Sequence, residues 1–308
     1  VAIIENGRKV LSNIVSTQID IHKEFGGVVP EIASRKHLTN ISYVVNEAIK
    51  EAKISFNDLD YIGVTYGPGL IGALLVGVSY AKSLAYSLNI PIVPTHHIEG
   101  HIAANYLTYN ELKPPFLALV VSGGHSHLIH VKDYSKFEII GKTRDDAVGE
   151  AFDKVARVLG LPYPGGPEVS KLAINGKRTY TLPKTKFDNL DFSFSGIKTA
   201  VINIAHKEGE SLRKADMATS FEQTVCEELI FNTLRAVNML KIDKVVLAGG
   251  VSANRVLREM LEKAAKENSF KAYMPDLKYC TDNAAMIGSA AHHNYVSGKY
   301  YEIKDKMD

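Results

Sequence analysis

Alternation along the chain predicts an α/β fold. Short apolar, β-branched runs take turns with segments of helical periodicity, the strand-to-helix joints are rich in glycine, and the pattern restarts after a double proline. At about 100–200 residues per domain, 308 residues accommodate two domains or one large one.

The elements follow in order. Val1–Ile4, the Asn6-Gly7 pair and Val10–Ile19 read as a hairpin, because Asn-Gly adopts the positive-φ turn that joins twisted strands. Pro30–Ala52 reads as a helix with Pro30 in its first turn, where a missing N–H goes unnoticed. Tyr61–Thr65 is a short strand, and Leu70–Leu88 a helix after the Gly67-Pro68-Gly69 turn. Ile90–Pro94 is a further strand, leading into a helix over His96–Tyr106. Glu111–Pro115 is the domain boundary, since two prolines oppose continuation of either kind of element. Beyond it, Phe116–Val121 and Ser126–Val131 flank Gly123-Gly124 like a hairpin, with Phe137–Lys142 as a third strand. Helices are expected over Gly149–Leu159, Pro167–Asn175, Gly196–His206 and Ala215–Met239. A strand at Lys244–Leu247 then precedes helices over Ser252–Glu267 and Asp282–Val296. The joints at Gly67-Pro68-Gly69 and Gly249-Gly250 echo each other, which is compatible with duplication but common in any α/β protein.

Composition excludes several classes. Hydrophobic residues at 45% and charged residues at 23% exclude wholesale disorder. A net charge of +2 argues against an indiscriminate nucleic-acid coat, though not against a local basic patch. Cys226 and Cys280 are too few for a disulfide framework and read as packed thiols in a reducing compartment. No signal peptide precedes the first strand, and the most apolar stretch, Leu70 to Val78, is broken by Gly72 and Gly77 and soon followed by Lys82. The expectation is a cytoplasmic protein with no membrane span. Val1-Ala2-Ile3-Ile4, without an initiator Met, reads as the middle of a strand, so the chain is expected to be incomplete at its start.

The sharpest chemical signal is His96-His97-Ile98-Glu99-Gly100-His101. On a helix His97 and His101 share one face, so both imidazoles can reach one metal ion; otherwise they mark a polar helix face. A zinc-protease mechanism does not follow, because Glu99 is two places after His97 rather than adjacent to it. Asp282 reads as a helix cap, or as the carboxylate completing a two-His, one-Asp site suited to zinc or iron.

Val121-Ser122-Gly123-Gly124-His125, Pro164-Gly165-Gly166-Pro167 and Gly249-Gly250-Val251-Ser252-Ala253-Asn254 are tight turns or, together, a nucleotide cradle. Neither Gly-x4-Gly-Lys-Ser/Thr nor a strand followed by Gly-x-Gly-x-x-Gly occurs, which removes the P-loop and Rossmann readings. Asp153 suits ribose hydroxyls, or an acid–base pair on a solvated helix face. Ser195 lacks a nucleophile elbow and reads as part of a helix-capping loop, with Lys198 toward solvent or an anion.

Taken together, these stretches resemble the universal tRNA N6-adenosine threonylcarbamoyltransferase family, once described as O-sialoglycoprotein endopeptidase. The match runs in order through Gly26–Arg35, Gly67–Leu74, His97–His101, Val121–His125, Tyr163–Pro167, Phe192–Gly196, Ala248–Val251 and Cys280–Asn283. The resemblance implies an actin-like ATPase (ASKHA) fold with two duplicated lobes, each a mixed sheet flanked by helices, over residues 1–112 plus 280–308 and residues 113–279. It implies transfer of threonylcarbamoyl from threonylcarbamoyl-AMP to N6 of the adenosine 3′ of the tRNA anticodon. By motif, His97, His101 and Asp282 are the expected ligands of one divalent metal ion, iron or zinc. Val120, Val121, Ser122, Gly123, Gly124, Asp153, Gly166 and Asn254 are the expected adenylate-binding positions. A paralogous partner subunit and a small P-loop ATPase are implied by the same analogy.

Three departures accompany the likeness. The family's opening strand and its Glu-Thr-Ser-Cys-Asp-Glu loop have no counterpart before Val1, the tail after Tyr300 is short, and Ser170 stands where many bacterial members carry Asp. No side chain stands out as general base. The competing readings are a carbamoyltransferase acting on a small molecule and a non-catalytic, nucleotide-binding assembly subunit.

Overall fold

The computed structural model describes residues 1–302. They form two compact units: the first holds Val1–Leu112 and the described residues from Pro275 onward, the second Lys113–Met274. Residues 275–279, assigned by sequence to the second lobe, belong to the first. There the Asp276 amide donates to Thr108 Oγ1 at 3.1 Å.

In the first unit, β1 (Ala2–Glu5) and β2 (Lys9–Asn13) pair antiparallel around Asn6 and Gly7, both at positive φ. The second strand was expected to reach Ile19. It stops at Asn13, opposite Ala2, with Ile14 still exchanging backbone hydrogen bonds with Val1. Instead a short helix, α1 (Ile19–Lys23), follows. Helix α2 (Pro30–Ala52) has the expected bounds, opened by Pro30 and closed by Lys53 in the left-handed conformation. Strand β3 (Ile62–Gly67), helix α3 (Ile71–Leu88) and strand β4 (Ile92–His96) form a β–α–β unit with β3 and β4 parallel. Helix α4 (His97–Ala103) starts directly where β4 ends and tightens into a 3-10 turn over Ala104–Leu107.

By length and composition α3 is apolar enough to cross a bilayer, a property its interruption by glycines hides in the sequence. It packs on α2 and β3, leaving Ile71, Leu75 and Tyr86 exposed.

The second unit is built on one five-stranded sheet, in the order β7-β6-β5-β8-β9. Strands β5 (Phe116–Val121), β6 (Ser126–Asp133) and β7 (Lys136–Lys142) form an antiparallel meander. Helices α5 (Val148–Val158), α6 (Gly165–Ala173), α7 (Ser195–Glu208) and α8 (Lys214–Leu240) follow. Strand β8 (Lys244–Ala248) lies parallel to β5; after helix α9 (Arg255–Glu267), the three-residue β9 (Lys271–Tyr273), absent from the sequence reading, adds a parallel edge. Every residue of β5 is buried, as expected of a central strand covered on both faces. Phe152 and Phe221 meet edge to face beneath it, with Phe192 and Phe194 fully buried in the same core.

One charged group lies awkwardly in that core. Glu228 of α8 is buried, and neither carboxylate oxygen has a hydrogen bond of good geometry. Burial pushes its carboxyl up to about 7, against a weaker pull from the Ser193 backbone and Lys184.

The chain then returns to the first unit as α10 (Ala284–Val296), which packs against α4, β1, β3 and β4.

Candidate functional site

The first polar cluster grows from the start of two helices in the first unit. Because α4 begins at the end of β4, His97 falls in its first turn and His101 one turn later on the same face. Their rings lie 4.6 Å apart between centroids. Gly100, between them, lets α10 approach: a Cβ there would lie 2.6 Å from Ile287 Cδ1. The approach brings Asp282 Oδ1 to 3.4 Å from His97 Nε2 and 3.3 Å from His101 Nε2.

Capping of α10 falls to Asn283, whose Oδ1 accepts the Met286 amide at 2.9 Å. The cap role weighed for Asp282 is therefore taken, and its carboxylate is left for the histidines. One ligand atom from each of the three residues lies within 4.8 Å of the others, a grouping that a single cation can satisfy. Among the described residues this is the one such group.

The donor set also has spare capacity. His101 is 1% exposed, yet neither ring nitrogen makes a hydrogen bond of good geometry, despite the nearby carboxylate. A buried imidazole with both nitrogens unspent is costly unless something fills the gap. Asp282, whose side chain is 78% exposed, pays some desolvation, but the imidazoles of His101 and His97 outweigh it and hold the carboxyl well below the usual range. These three residues fit a divalent cation. Glu99 is turned elsewhere, accepting from Asn294 Nδ2 at 3.0 Å, so it takes no part in the group.

The second cluster lies in the second unit, at the carboxyl ends of β5 and β8. Val120 and Val121 are the buried last residues of β5. Ser122 then closes the loop: its Oγ accepts the His125 amide at 3.1 Å and its amide donates to the His125 carbonyl at 2.8 Å. A Cβ on Gly123 or Gly124 would meet nothing within 4 Å, so the turn faces open space. Gly249, the residue after β8, has φ +90° and would place a Cβ 2.3 Å from the Val121 carbonyl oxygen. Only glycine fits there.

Asp153 does not pair with its neighbouring lysine. Lys154 bonds Asp146 and Glu150 at 2.7 and 2.9 Å, whereas Asp153 Oδ1 accepts the Gly165 amide at 2.8 Å. Burial raises the Asp153 carboxyl, with the Gly165 and Gly166 amides and Arg157 pulling the other way. Asp153 thus fixes the start of α6 and with it Gly166.

Asn254 is the N-cap of α9, its Oδ1 accepting the Leu257 amide at 2.9 Å. Its Nδ2 donates to Glu222 Oε1 at 2.7 Å and Ser170 Oγ at 3.0 Å, and the Ser170 hydroxyl donates to Glu222 Oε1 at 2.6 Å. Glu222 is absent from the sequence reading. A glutamate in the middle of a long helix looks like a solvated-face residue; only tertiary packing reveals it as 3% exposed.

The Phe-Ser-Phe-Ser-Gly stretch is structural at this level. Asp145 accepts from the Ser193 and Ser195 hydroxyls and the Phe194 and Ser195 amides, capping α7 from a distance, and Lys198 pairs with Asp146 at 2.7 Å. Burial pushes the Cys226 thiol well up, and both cysteines are buried thiols outside any disulfide.

Known proteins share this organisation. The sequence model of the tRNA N6-adenosine threonylcarbamoyltransferase (TsaD) family matches residues 9–289. A tRNA N6-adenosine threonylcarbamoyltransferase of Clostridium novyi is 54% identical over 305 residues, 97% of this chain and 89% of that protein. One of Clostridium kluyveri is 55% identical over 304 residues, 96% and 89% of the two chains. Among solved structures, full-length HypF in its phosphate- and nucleotide-bound form aligns with a TM-score of 0.64 at 18% identity, over 83% of this chain and 50% of that one. HypF from T. kodakarensis aligns with a TM-score of 0.66 at 14% identity, over 85% and 44%. At such identities the likeness carries the fold alone, which is the actin-like ATPase fold. The family match and the close relatives carry more: this chain belongs to the tRNA N6-adenosine threonylcarbamoyltransferase family.

Proposed function

We propose that this chain transfers threonylcarbamoyl from threonylcarbamoyl-AMP to N6 of the adenosine just 3′ of the tRNA anticodon, using a divalent cation held by His97, His101 and Asp282. The observation that carries the reading is the convergence of those three side chains in a member of this family, with the nitrogens of buried His101 unspent. Two imidazoles and a carboxylate suit iron or zinc. When bound, such a cation supplies Lewis-acid polarisation of a carbonyl oxygen.

The residues of the second unit have a different task. The open backbone of Gly123 and Gly124 and the start of α9 after Gly249 present amides to an anion, which suits the adenylate phosphate. Val120, Val121 and Ser122 hold that loop against the sheet, while Asp153 holds Gly166 in place. In the reaction, N6 of adenosine forms a bond to the carbamoyl carbon and releases a proton to solvent, the bond from that carbon to the phosphate oxygen breaks, and its electron pair leaves on AMP.

With tRNA as the acceptor, the proposed site of action is the cytoplasm. By analogy within the family, a paralogous partner subunit and a small P-loop ATPase complete the assembly.

The test is a transfer assay offering tRNA and a small amine acceptor together. We expect product on tRNA alone, and a loss of about a thousandfold or more in the His97→Ala, His101→Ala double variant, the scale of several kcal/mol of Lewis-acid stabilisation. Product on the small acceptor, or full activity in the double variant, contradicts the reading.

A further inference from the structure

We propose that Glu222 is the residue through which the Asn254 network meets the substrate, its Oε2 accepting a hydroxyl of the adenylate ribose. Hydrogen-bonding capacity singles out this residue. A side-chain amide has two N–H donors and one carbonyl oxygen. In Asn254 the oxygen is committed to the Leu257 amide, and the donors to Glu222 Oε1 and Ser170 Oγ. The Ser170 proton is committed as well, to the same Oε1. Neither side chain has a donor left for a ligand.

Glu222 is the exception. Its Oε1 takes two hydrogen bonds, while its Oε2 takes none among the described residues and is not one of the sealed, partnerless atoms. The residue is 3% exposed, and both its partners are neutral. A carboxyl oxygen so placed, with its twin carrying both internal bonds, has capacity for a further donor. Its place in the fold supplies the ligand. Ser170 is one turn after Gly166 on the same face of α6, and Asn254 opens α9 beside the glycine joint after β8. Of the groups an adenylate offers there, the phosphate is repelled by the carboxylate, and the ribose hydroxyls donate. Asn254 and Ser170 position Glu222, and Glu222 does the contacting.

This inference rests on the adenylate reading of the cradle, and the experiment separates the two. Binding of AMP, 2′-deoxy-AMP and 3′-deoxy-AMP is measured by calorimetry on the wild-type chain and on Glu222→Gln. The amide keeps an oxygen for Asn254 and Ser170 but turns the ligand-facing acceptor into a donor. For the wild type, removing the contacted hydroxyl weakens binding about 10-fold or more. Glu222→Gln weakens AMP to a similar degree and is indifferent to that hydroxyl. Equal AMP affinity in the two proteins overturns the role of Glu222, as does an E222Q loss that adds in full to each deoxy substitution. Wild-type indifference to both hydroxyls overturns it with no variant at all. A wild type that binds no AMP overturns the cradle reading and this inference together.

Discussion

The two polar clusters are built on opposite plans. In the first unit, His101 is buried with both ring nitrogens unspent, and Asp282 reaches it from a largely exposed position. In the second, Asn254 and Ser170 have their donors committed within the protein, and Asp153 Oδ1 is spent on the Gly165 amide. The contrast separates two ways of preparing a site. A cluster with unmet capacity is completed by a ligand that the chain lacks. A cluster with met capacity is a scaffold, and it binds through what the scaffold holds up: the backbone of the glycine turns and the spare oxygen of Glu222.

If the second cluster is a rigid scaffold, damage to its backbone should be expensive and local. Gly249→Ala introduces a Cβ at 2.3 Å from the Val121 carbonyl oxygen on a φ of +90°. It should cost about 2–4 kcal/mol in a denaturant titration and weaken AMP binding, while cation binding by the first unit is unchanged.

Glu228 gives a test of the same core through pH. An ordinary glutamate titrates near 4.3, and here the carboxyl is pushed up to about 7. Between those values the folded chain holds a proton that the unfolded chain has released, so stability falls as pH rises through the window. Glu228→Gln removes the fall. Thermal melts should show the variant gaining on the wild type from pH 5 to pH 8, by on the order of 1–2 kcal/mol once solvent screening is allowed for. A constant gap across that range contradicts the assignment.

The smallest effect belongs to the first cluster. Asn283→Ala removes the cap of α10, at about 1 kcal/mol of stability. Because Asp282 is the next residue, cation affinity should fall in the same variant, and an unchanged affinity would show that the carboxylate is placed by packing alone.

Much of this was legible in the sequence where local rules decide. Helix α2 has its expected ends because Pro30 and Lys53 act on the backbone directly. The histidine pair and the glycine joints stand where periodicity puts them. What escaped depends on partners. Strand β2 was read as running to Ile19, but the pairing with β1 ends at Asn13 and a short helix takes Ile19 instead. Strand β9 is three residues paired only with β8. Asp282 suits a cap on paper, and only the structure shows Asn283 capping α10 while Asp282 faces the imidazoles. Glu222 is a helix glutamate like any other until α6 and α9 bury it.

The most direct test of the account is the cation stoichiometry of the first cluster, measured by titrating zinc or ferrous ion into the metal-free chain. One ion per chain in the wild type, and none in the folded His97→Ala, His101→Ala variant, is the predicted result. A wild type that binds no ion, or a double variant that still binds one as tightly, would contradict it.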